Sequence, residues 1–111
     1  MILVQWSCQV PQENIEAFID FAEKKLKPFY ESYGCLRYEL YFPMTTEKKY
    51  FPYHITEKKN RYTEQLIFDD LKDFEKFYET VEKDKAAQDL VGMYVKIFGI
   101  SDCNFKILKR R

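Results

Sequence analysis

Apolar and polar residues alternate along the first ten positions, which is the period of a strand with one buried face. The apolar members of this alternation are Ile2, Val4, Trp6, Cys8 and Val10. After Pro11 the apolar residues recur every three or four positions, which predicts an amphipathic helix over residues 15–33. Pro28 lacks a backbone donor and predicts a bend or restart of this helix, and Gly34 predicts its end.

Two further strands follow, separated by a long segment. Apolar residues alternate again over 35–42 until Pro43 closes the strand, and residues 61–68 (RYTEQLIF) are rich in strand-forming types. Between them lie residues 43–60, a connection longer than most loops in compact domains. We call this segment the excursion.

A second helical region is predicted in two pieces. Asp69 and Asp70 offer an N-cap and a first-turn acid, and an apolar stripe then runs over residues 71–81. The charged run 83–85 interrupts the stripe, which resumes over 87–98 and ends at Gly99. A final strand alternates through Cys103, Phe105 and Ile107.

The order of these elements is β, α, β, β, α, β. With right-handed crossovers it predicts an α+β, ferredoxin-like fold, in which a four-stranded antiparallel sheet carries both helical regions on one face. We expect one domain over residues 1–111. The opposite face of the sheet is left bare, and the polar positions expected on it are Gln5, Ser7, Gln9, Arg37, Glu39, Thr63 and Gln65. Arg37 and Glu39 are expected to form a structural pair rather than an acid–base couple.

The charge balance and the composition argue against two classes of partner, nucleic acids and membranes. Eighteen Lys plus Arg balance eighteen Asp plus Glu, so no global positive field favours nucleic acid. No apolar run approaches the roughly 18 residues of a membrane span, and no signal peptide is visible, so we expect a protein that does not cross a membrane.

The three cysteines, Cys8, Cys35 and Cys103, are odd in number and widely spaced. That pattern argues against a disulfide framework and against a zinc site, so no metal is expected. A reducing cytoplasm is the predicted location.

Aromatic residues make up 18% of the chain, which indicates either a core and subunit interface or a cavity for an aromatic ligand. Trp6 lies on the strand face that looks toward the helices, where it either packs in the core or lines such a cavity. Tyr38 shares that orientation, and its hydroxyl needs a partner if buried, either a ligand or a backbone carbonyl.

From Gly34 the residues GCLRYEL, and beyond the excursion TEQLIFDDLKDFEKF, resemble the antibiotic biosynthesis monooxygenase family of dimeric α+β barrels. The likeness extends back through VPQENIEAFIDFAEKKLKPFYESY. The resemblance implies a homodimer with its sheets face to face, a ligand cavity between sheet and helices, and oxidation of aromatic or quinol-type compounds without metal or flavin. The chain departs from the family where many members place a histidine on the second helix, since FEKFYETVEKDK has none.

The excursion holds the single histidine, His54, among aromatic residues. The segment is predicted to be a hairpin arm clasping the partner subunit, with a lid over the cavity or a disordered loop as the alternatives. Tyr50, Phe51, Tyr53 and Ile55 are too apolar for water, so we expect them to lie on the body or on a partner. The ordinary role of His54 is packing, but its titration near neutral pH also suits a catalytic base for a phenol or quinol.

Two functions follow. One is a cofactor-independent monooxygenase for a small aromatic or quinol-type compound, with Trp6 and Tyr38 lining the cavity and His54 as the base. The other is a non-catalytic homodimer that binds a small apolar molecule. An RNA-binding domain is disfavoured because the third strand lacks the aromatic signature of such domains.

Overall fold

The strands and helices of the computed structural model, which describes residues 1–56 and 58–111, occur in the order predicted from the hydrophobic pattern. They are β1 (Ile2–Gln9), α1 (Ile15–Phe21), α2 (Lys27–Ser32), β2 (Arg37–Tyr41), β3 (Arg61–Phe68), α3 (Leu71–Lys83), α4 (Lys85–Phe98) and β4 (Ser101–Lys109). A 3₁₀ turn at Gln12–Asn14 precedes α1. In the described part of the chain, no helix is long and apolar enough to cross a membrane.

All four strands belong to one sheet in the order β2-β3-β1-β4, with antiparallel neighbours throughout. Trp6 at the middle of β1 stands opposite Glu64 of β3 on one side and Phe105 of β4 on the other. The predicted ferredoxin-like α+β architecture is therefore confirmed.

The first helical region restarts near Pro28, as predicted. A π-helical turn, Ala22–Leu26, separates α1 from α2, and Pro28 is the second residue of α2. Because proline cannot donate to the carbonyl four residues earlier and its ring crowds that carbonyl, the wider turn accommodates it. Gly34, at φ 98°, then ends the region in the left-handed conformation that only glycine adopts without strain.

The second helical region divides at Asp84, also as predicted. Asp84 has extended backbone angles and its carboxylate accepts hydrogen bonds from the N–H groups of Ala86 and Ala87. Asp70 caps α3 by accepting from the N–H of Asp73 at 2.9 Å. Gly99 ends α4 at φ 67°.

The two faces of the sheet differ as the alternation predicted. The helix-covered face forms the core, in which rings from helices meet rings from strands: Phe18 lies 4.5 Å from Tyr62, and Tyr30 stacks on Tyr38 at 5.3 Å. The opposite face carries a polar chain across three strands, in which Gln5 donates to Gln65 at 2.7 Å and Gln65 donates to Glu39.

The edge strand β4 is not covered by any described helix, and all nine of its residues are exposed. It is held by the ladder to β1, which has an irregularity between Ser7 and Gln9, and by a bond between Cys8 and Cys103. On the helix side of the sheet, the surface next to β4 is therefore open to solvent. The candidate site lies on this surface, beside β4.

The excursion is largely irregular within its described part, which omits position 57. It carries a tight turn with a single bridge between Tyr50 and Tyr53 around a cis Phe51–Pro52 peptide. Phe51 is 94% exposed and Tyr53 is 77% exposed, so these rings do not pack on the body of their own chain.

The structure joins Cys8 and Cys103 in a disulfide, so the inference against disulfides was wrong. The two residues are 95 positions apart, but β1 and β4 are neighbouring strands and the Cα atoms lie 4.2 Å apart. The number of cysteines and their spacing along the chain carry no information about strand order. Strand order decides whether Cys8 and Cys103 lie close enough to bond. Cys35 is free and buried.

Candidate aromatic ligand site

Four aromatic side chains line a cleft of about 250 Å³ beside β4: Trp6, Phe74, Tyr78 and Phe105. The Trp6 and Phe105 rings lie 5.0 Å apart between centroids, Phe74 and Phe105 lie 6.3 Å apart, and Phe74 and Tyr78 lie 6.1 Å apart. These spacings are those of tilted, attractive ring pairs. The cleft is thus an aromatic cage with one open side.

The local sequence explains how the cage forms. Phe74 and Tyr78 are four residues apart on α3 and therefore project from the same face of the helix. Trp6 and Phe105 are cross-strand partners on the helix side of the sheet. Since β4 lacks a helical cover, Phe105 remains 51% exposed and forms the outer wall.

A carboxyl group lies on the other side of Trp6. Glu64 faces Trp6 across the β1–β3 ladder, is 1% exposed, and is the buried charged residue of the described core. The hydroxyl of Tyr38 donates to its Oε2 atom at 2.6 Å. A buried carboxyl with so few donors is costly in its ionised form, because they replace only part of a full shell of water.

Two polar atoms in this cluster have no hydrogen-bond partner at ordinary distance and angle among the described residues: Oε1 of Glu64 and the hydroxyl of Tyr62. The hydroxyl of Tyr94, on α4, lies close enough to both side chains to influence the pKa of each. We call Oε1 of Glu64 and the Tyr62 hydroxyl the unpaired atoms.

The cluster has distinctive proton chemistry. Burial raises the pKa of Glu64 from 4.5 to about 7, and the nearby hydroxyl groups of Tyr38 and Tyr94 oppose that rise. Burial, with the nearby Glu64 carboxyl, raises the pKa of Tyr38, Tyr62 and Tyr94 well above the ordinary value of 10. Near neutral pH, Glu64 can therefore take up or release a proton while the tyrosines keep theirs.

Trp6 and Tyr38, the two predicted ligand-binding residues, lie on the same side of the sheet and are connected by Tyr30. Tyr30 stacks on Trp6 at 6.5 Å and on Tyr38 at 5.3 Å. Trp6 is partly buried, packs against the core and also lines the cleft. The partner of the Tyr38 hydroxyl is the Glu64 carboxylate, neither of the two partners expected.

His54, the predicted base, lies elsewhere. It is exposed and lines a hollow of about 280 Å³ formed by residues of the excursion itself, among them Tyr50, Phe51 and Tyr53. Trp6 and Tyr38 do not line that hollow.

The sequence analysis missed Glu64, although a signal was present. Residues 62, 64, 66 and 68 form the inward set of the third strand, and Tyr62, Leu66 and Phe68 are apolar while Glu64 is not. A lone carboxyl in an apolar alternation is an informative exception. The sequence analysis assigned Phe74 and Tyr78 to the apolar face of a helix and Phe105 to the alternation of the last strand. Their contact around one cleft depends on the exposed position of β4, which those patterns do not show. Residues 1–56 and 58–111 hold no cluster of three or more side chains suited to metal binding.

Comparisons with known proteins give a match in structure but none in sequence. No protein-family model matches the chain, and no curated protein matches it. A candidate antibiotic biosynthesis monooxygenase from Deinococcus radiodurans superimposes with a TM-score of 0.69 at 10% identity, over 100% of this chain and 93% of that one. A dimeric ferredoxin-like protein from an uncultured marine organism gives 0.64 at 13% identity, over 99% and 94%.

An ethyl tert-butyl ether d family protein from Bacillus halodurans superimposes with a TM-score of 0.62 at 12% identity, over the full length of both chains. At such identities the likeness shows the fold alone. The chain has the fold of the antibiotic biosynthesis monooxygenase-like, ferredoxin-like proteins, as the sequence resemblance predicted.

Proposed function

We propose that this protein binds a small aromatic molecule in the cleft formed by Trp6, Phe74, Tyr78 and Phe105. The observation that carries the proposal is the aromatic cage itself, since four rings from three separate elements meet around one open space. At about 250 Å³ the cleft lies below the range of sites for drug-sized ligands, so its ligand would have one or two rings.

The test uses Trp6, the single tryptophan of the chain, as a fluorescent reporter in the cleft wall. We expect saturable quenching when indole-free aromatic compounds such as toluene or naphthalene are added. Phe105→Ala should weaken that binding by roughly tenfold, the value of one lost ring contact. Phe51→Ala, the same change at a 94% exposed ring of the excursion, is the matched control and should bind like wild type. No saturable binding, or equal loss in both variants, would overturn the proposal.

We propose further that the protein is a homodimer whose bare sheet faces meet. Support comes from that face, where Leu3, Ile67 and Leu108 form one apolar row across three strands beside the polar chain of Gln5 and Gln65. The marine protein with this fold is described as dimeric. A self-complementary face of this kind fits a two-fold axis.

Native mass spectrometry should give twice the 13.5 kDa chain mass. Leu108→Glu, on the bare face, should shift the protein toward monomer because it buries an unpaired charge in the interface. Ile97→Glu, an equally apolar-to-acid change at an exposed site on α4, should remain dimeric. A monomeric wild type would contradict the proposal.

Within a single domain over residues 1–111, we propose that the excursion, 43–60, is an arm on the second subunit. The exposure of Phe51 and Tyr53 supports this role, because rings of that size are seldom left together in water. Replacing both by Ser should weaken the dimer and leave the affinity of the cleft unchanged. Loss of cleft affinity with an intact dimer would instead identify a lid.

A second candidate function is cofactor-independent monooxygenation of a quinol-type ligand. Glu64 favours it, because a carboxyl that exchanges a proton near neutral pH lies one cross-strand step from the cleft wall. In that reaction one atom of dioxygen would enter the substrate, and the other would leave as water with two hydrogens taken from the substrate. His54 remains the base predicted from sequence.

Oxygen uptake with a panel of quinols separates binding from turnover. If His54 is the base, His54→Ala should abolish uptake; if Glu64 is the base, Glu64→Gln should abolish it and His54→Ala should not. Absence of uptake by wild type would leave the binding function alone.

The oxidation state of the cysteines in the cell tests the predicted cytoplasmic location. A disulfide between Cys8 and Cys103 is favoured in an oxidising compartment, whereas a reducing cytoplasm would keep both thiols free. Under denaturing conditions, protein alkylated during cell lysis should carry three labels if it is reduced in its native location. One label, at Cys35, would contradict a cytoplasmic location.

A further inference from the structure

We propose that the disulfide between Cys8 and Cys103 positions the outer wall of the aromatic cleft, so that the affinity for an aromatic ligand depends on the oxidation state of this pair. This regulation rests on the proposed binding function. The cleft binds tightly while the disulfide is formed and more weakly after a dithiol has reduced it.

The disulfide lies next to the cleft on the helix side of the sheet. Trp6 and Cys8 are two residues apart on β1, and Cys103 and Phe105 are two residues apart on β4, so the members of each pair share one face of their strand. Trp6 and Phe105 are partners in the ladder, and their rings lie 5.0 Å apart. The disulfide and this ring pair are therefore consecutive contacts between the two strands.

The disulfide also spans the point where the ladder between β1 and β4 is irregular. Between two regular pairs of the ladder, Asp102 and Cys103 of β4 stand opposite Cys8 alone. Asp102 has a left-handed backbone at φ 50°, and its carbonyl accepts a hydrogen bond from Arg61 at 2.9 Å. Because a bulge interrupts the regular hydrogen bonds of a ladder, the covalent bond supplies the direct link between the strands there.

The wall formed by Phe105 has few other supports. All nine residues of β4 are exposed, and β1 is its one neighbour in the described sheet. Phe105 belongs to the second regular pair beyond the bulge, and its ring contacts those of Trp6 and Phe74. Without the disulfide the strand can open from the bulge toward Phe105, which removes one wall of the cleft for part of the time.

The reducing step is thiol–disulfide exchange with a dithiol as the reductant. Cys103 is exposed and Cys8 is buried, so a thiolate of the dithiol attacks Sγ of Cys103. The bond between the two cysteines breaks, a mixed disulfide forms at Cys103, and Sγ of Cys8 leaves as a thiolate and takes up a proton. The second thiolate of the dithiol then closes on the dithiol's own sulfur in the mixed disulfide and releases Cys103. The protein gains two electrons and two protons, and the dithiol becomes a cyclic disulfide.

The experiment measures the affinity for toluene by calorimetric titration before and after reduction with dithiothreitol. We expect reduced wild type to bind roughly threefold to tenfold more weakly, since tenfold is the value of the whole ring contact of Phe105. Cys103→Ser, at an exposed residue, should bind like reduced wild type and should not respond to dithiothreitol. Cys35→Ser, the same change at the free cysteine, is the matched control and should keep both the affinity and the response.

Phe105→Ala tests whether the disulfide acts through this ring. Once the wall is removed, reduction should change the affinity of Phe105→Ala by less than about twofold. Coupling between two sites is reciprocal, so saturating toluene should make the disulfide of wild type harder to reduce. A tenfold difference in affinity corresponds to a reduction potential lower by about 30 mV, which equilibration with dithiothreitol buffers would measure.

The outcomes separate the regulation from the binding function. Equal affinity of oxidised and reduced wild type for toluene would overturn the regulation and leave the binding function intact. A response to dithiothreitol that persists in Cys103→Ser, or at full size in Phe105→Ala, would also overturn it. If oxidised wild type does not bind toluene, the proposed function fails and the regulation fails with it.

Discussion

Glu39 and Glu64 lie on neighbouring strands of one sheet but on opposite faces, and their surroundings differ completely. Glu39, on the bare face, receives Arg37 at 3.1 Å, the Tyr41 hydroxyl at 2.7 Å and the Gln65 amide at 3.3 Å. Glu64, on the covered face, receives the Tyr38 hydroxyl on one oxygen and has no ordinary hydrogen bond on the other within the described chain. Residue type alone therefore does not set the role of a carboxylate.

The contrast teaches what separates a structural carboxylate from a chemically active one. Around Glu39 the partners and water stabilise the negative charge, so the group helps to join β2 to β3. Around Glu64 burial disfavours the charge and raises the pKa to about 7. A fold retains such a group at the cost of stability, which makes Glu64 a candidate for a functional role.

Replacing Glu64 by Gln should give the largest effect on stability. The folded pKa of about 7 lies above the ordinary 4.5, so this group stabilises the fold fully below pH 4.5, and that contribution is lost as pH rises through 7. The difference corresponds to about 3 kcal/mol. We expect Glu64→Gln to be more stable than wild type at pH 8 by up to that amount, and to lose the advantage at pH 4.5.

Denaturant unfolding at fixed protein concentration measures this difference. Glu39→Gln is the matched control on the opposite face, and it should keep the pH dependence that Glu64 confers. A stability gap between wild type and Glu64→Gln that does not change with pH would contradict the account.

Replacing Tyr38 by Phe should have an intermediate effect. The change removes the one short hydrogen bond to Glu64 and keeps the stacked ring on Tyr30. We expect a loss of about 1.5–3 kcal/mol at pH 8, where the carboxylate is charged, and a smaller loss at pH 5. Unfolding curves at the two pH values provide the measurement, and a larger loss at pH 5 would refute the charged hydrogen bond.

Replacing Arg37 by Ala should have the smallest effect. Its side chain is largely exposed, so the pair with Glu39 contributes less than about 1 kcal/mol to folding. We expect the unfolding midpoint of Arg37→Ala to be close to that of wild type. The difference between the two midpoints should shrink further in high salt. A loss as large as that of Tyr38→Phe would contradict the small contribution expected of an exposed ion pair.

The sequence predicted the fold well because its signals are local. The alternation of β1, the break at Asp84 and the glycine stops at Gly34 and Gly99 each depend on a few neighbouring residues. The pairing of Arg37 with Glu39 was predicted from residues two apart on one strand face, and the structure confirms it at 3.1 Å.

The site was predicted only in part because it depends on long-range pairing. Trp6 was predicted on the helix side of β1, where the structure has it, but Phe105 and Cys103 reach β1 only through the order of the strands, which no local pattern encodes. Glu64 was overlooked because its strand was judged by composition rather than by the single polar residue on its inward face.

The titration of Glu64 tests the central claim most directly. Carbon-13 NMR of protein labelled at the glutamate carboxyl carbons, with Glu64→Gln to assign the signal, would follow this one group through pH. The account predicts a midpoint near 7. A midpoint near the ordinary 4.5 would mean that the carboxyl is well solvated or fully paired, and it would remove the basis for the proton chemistry.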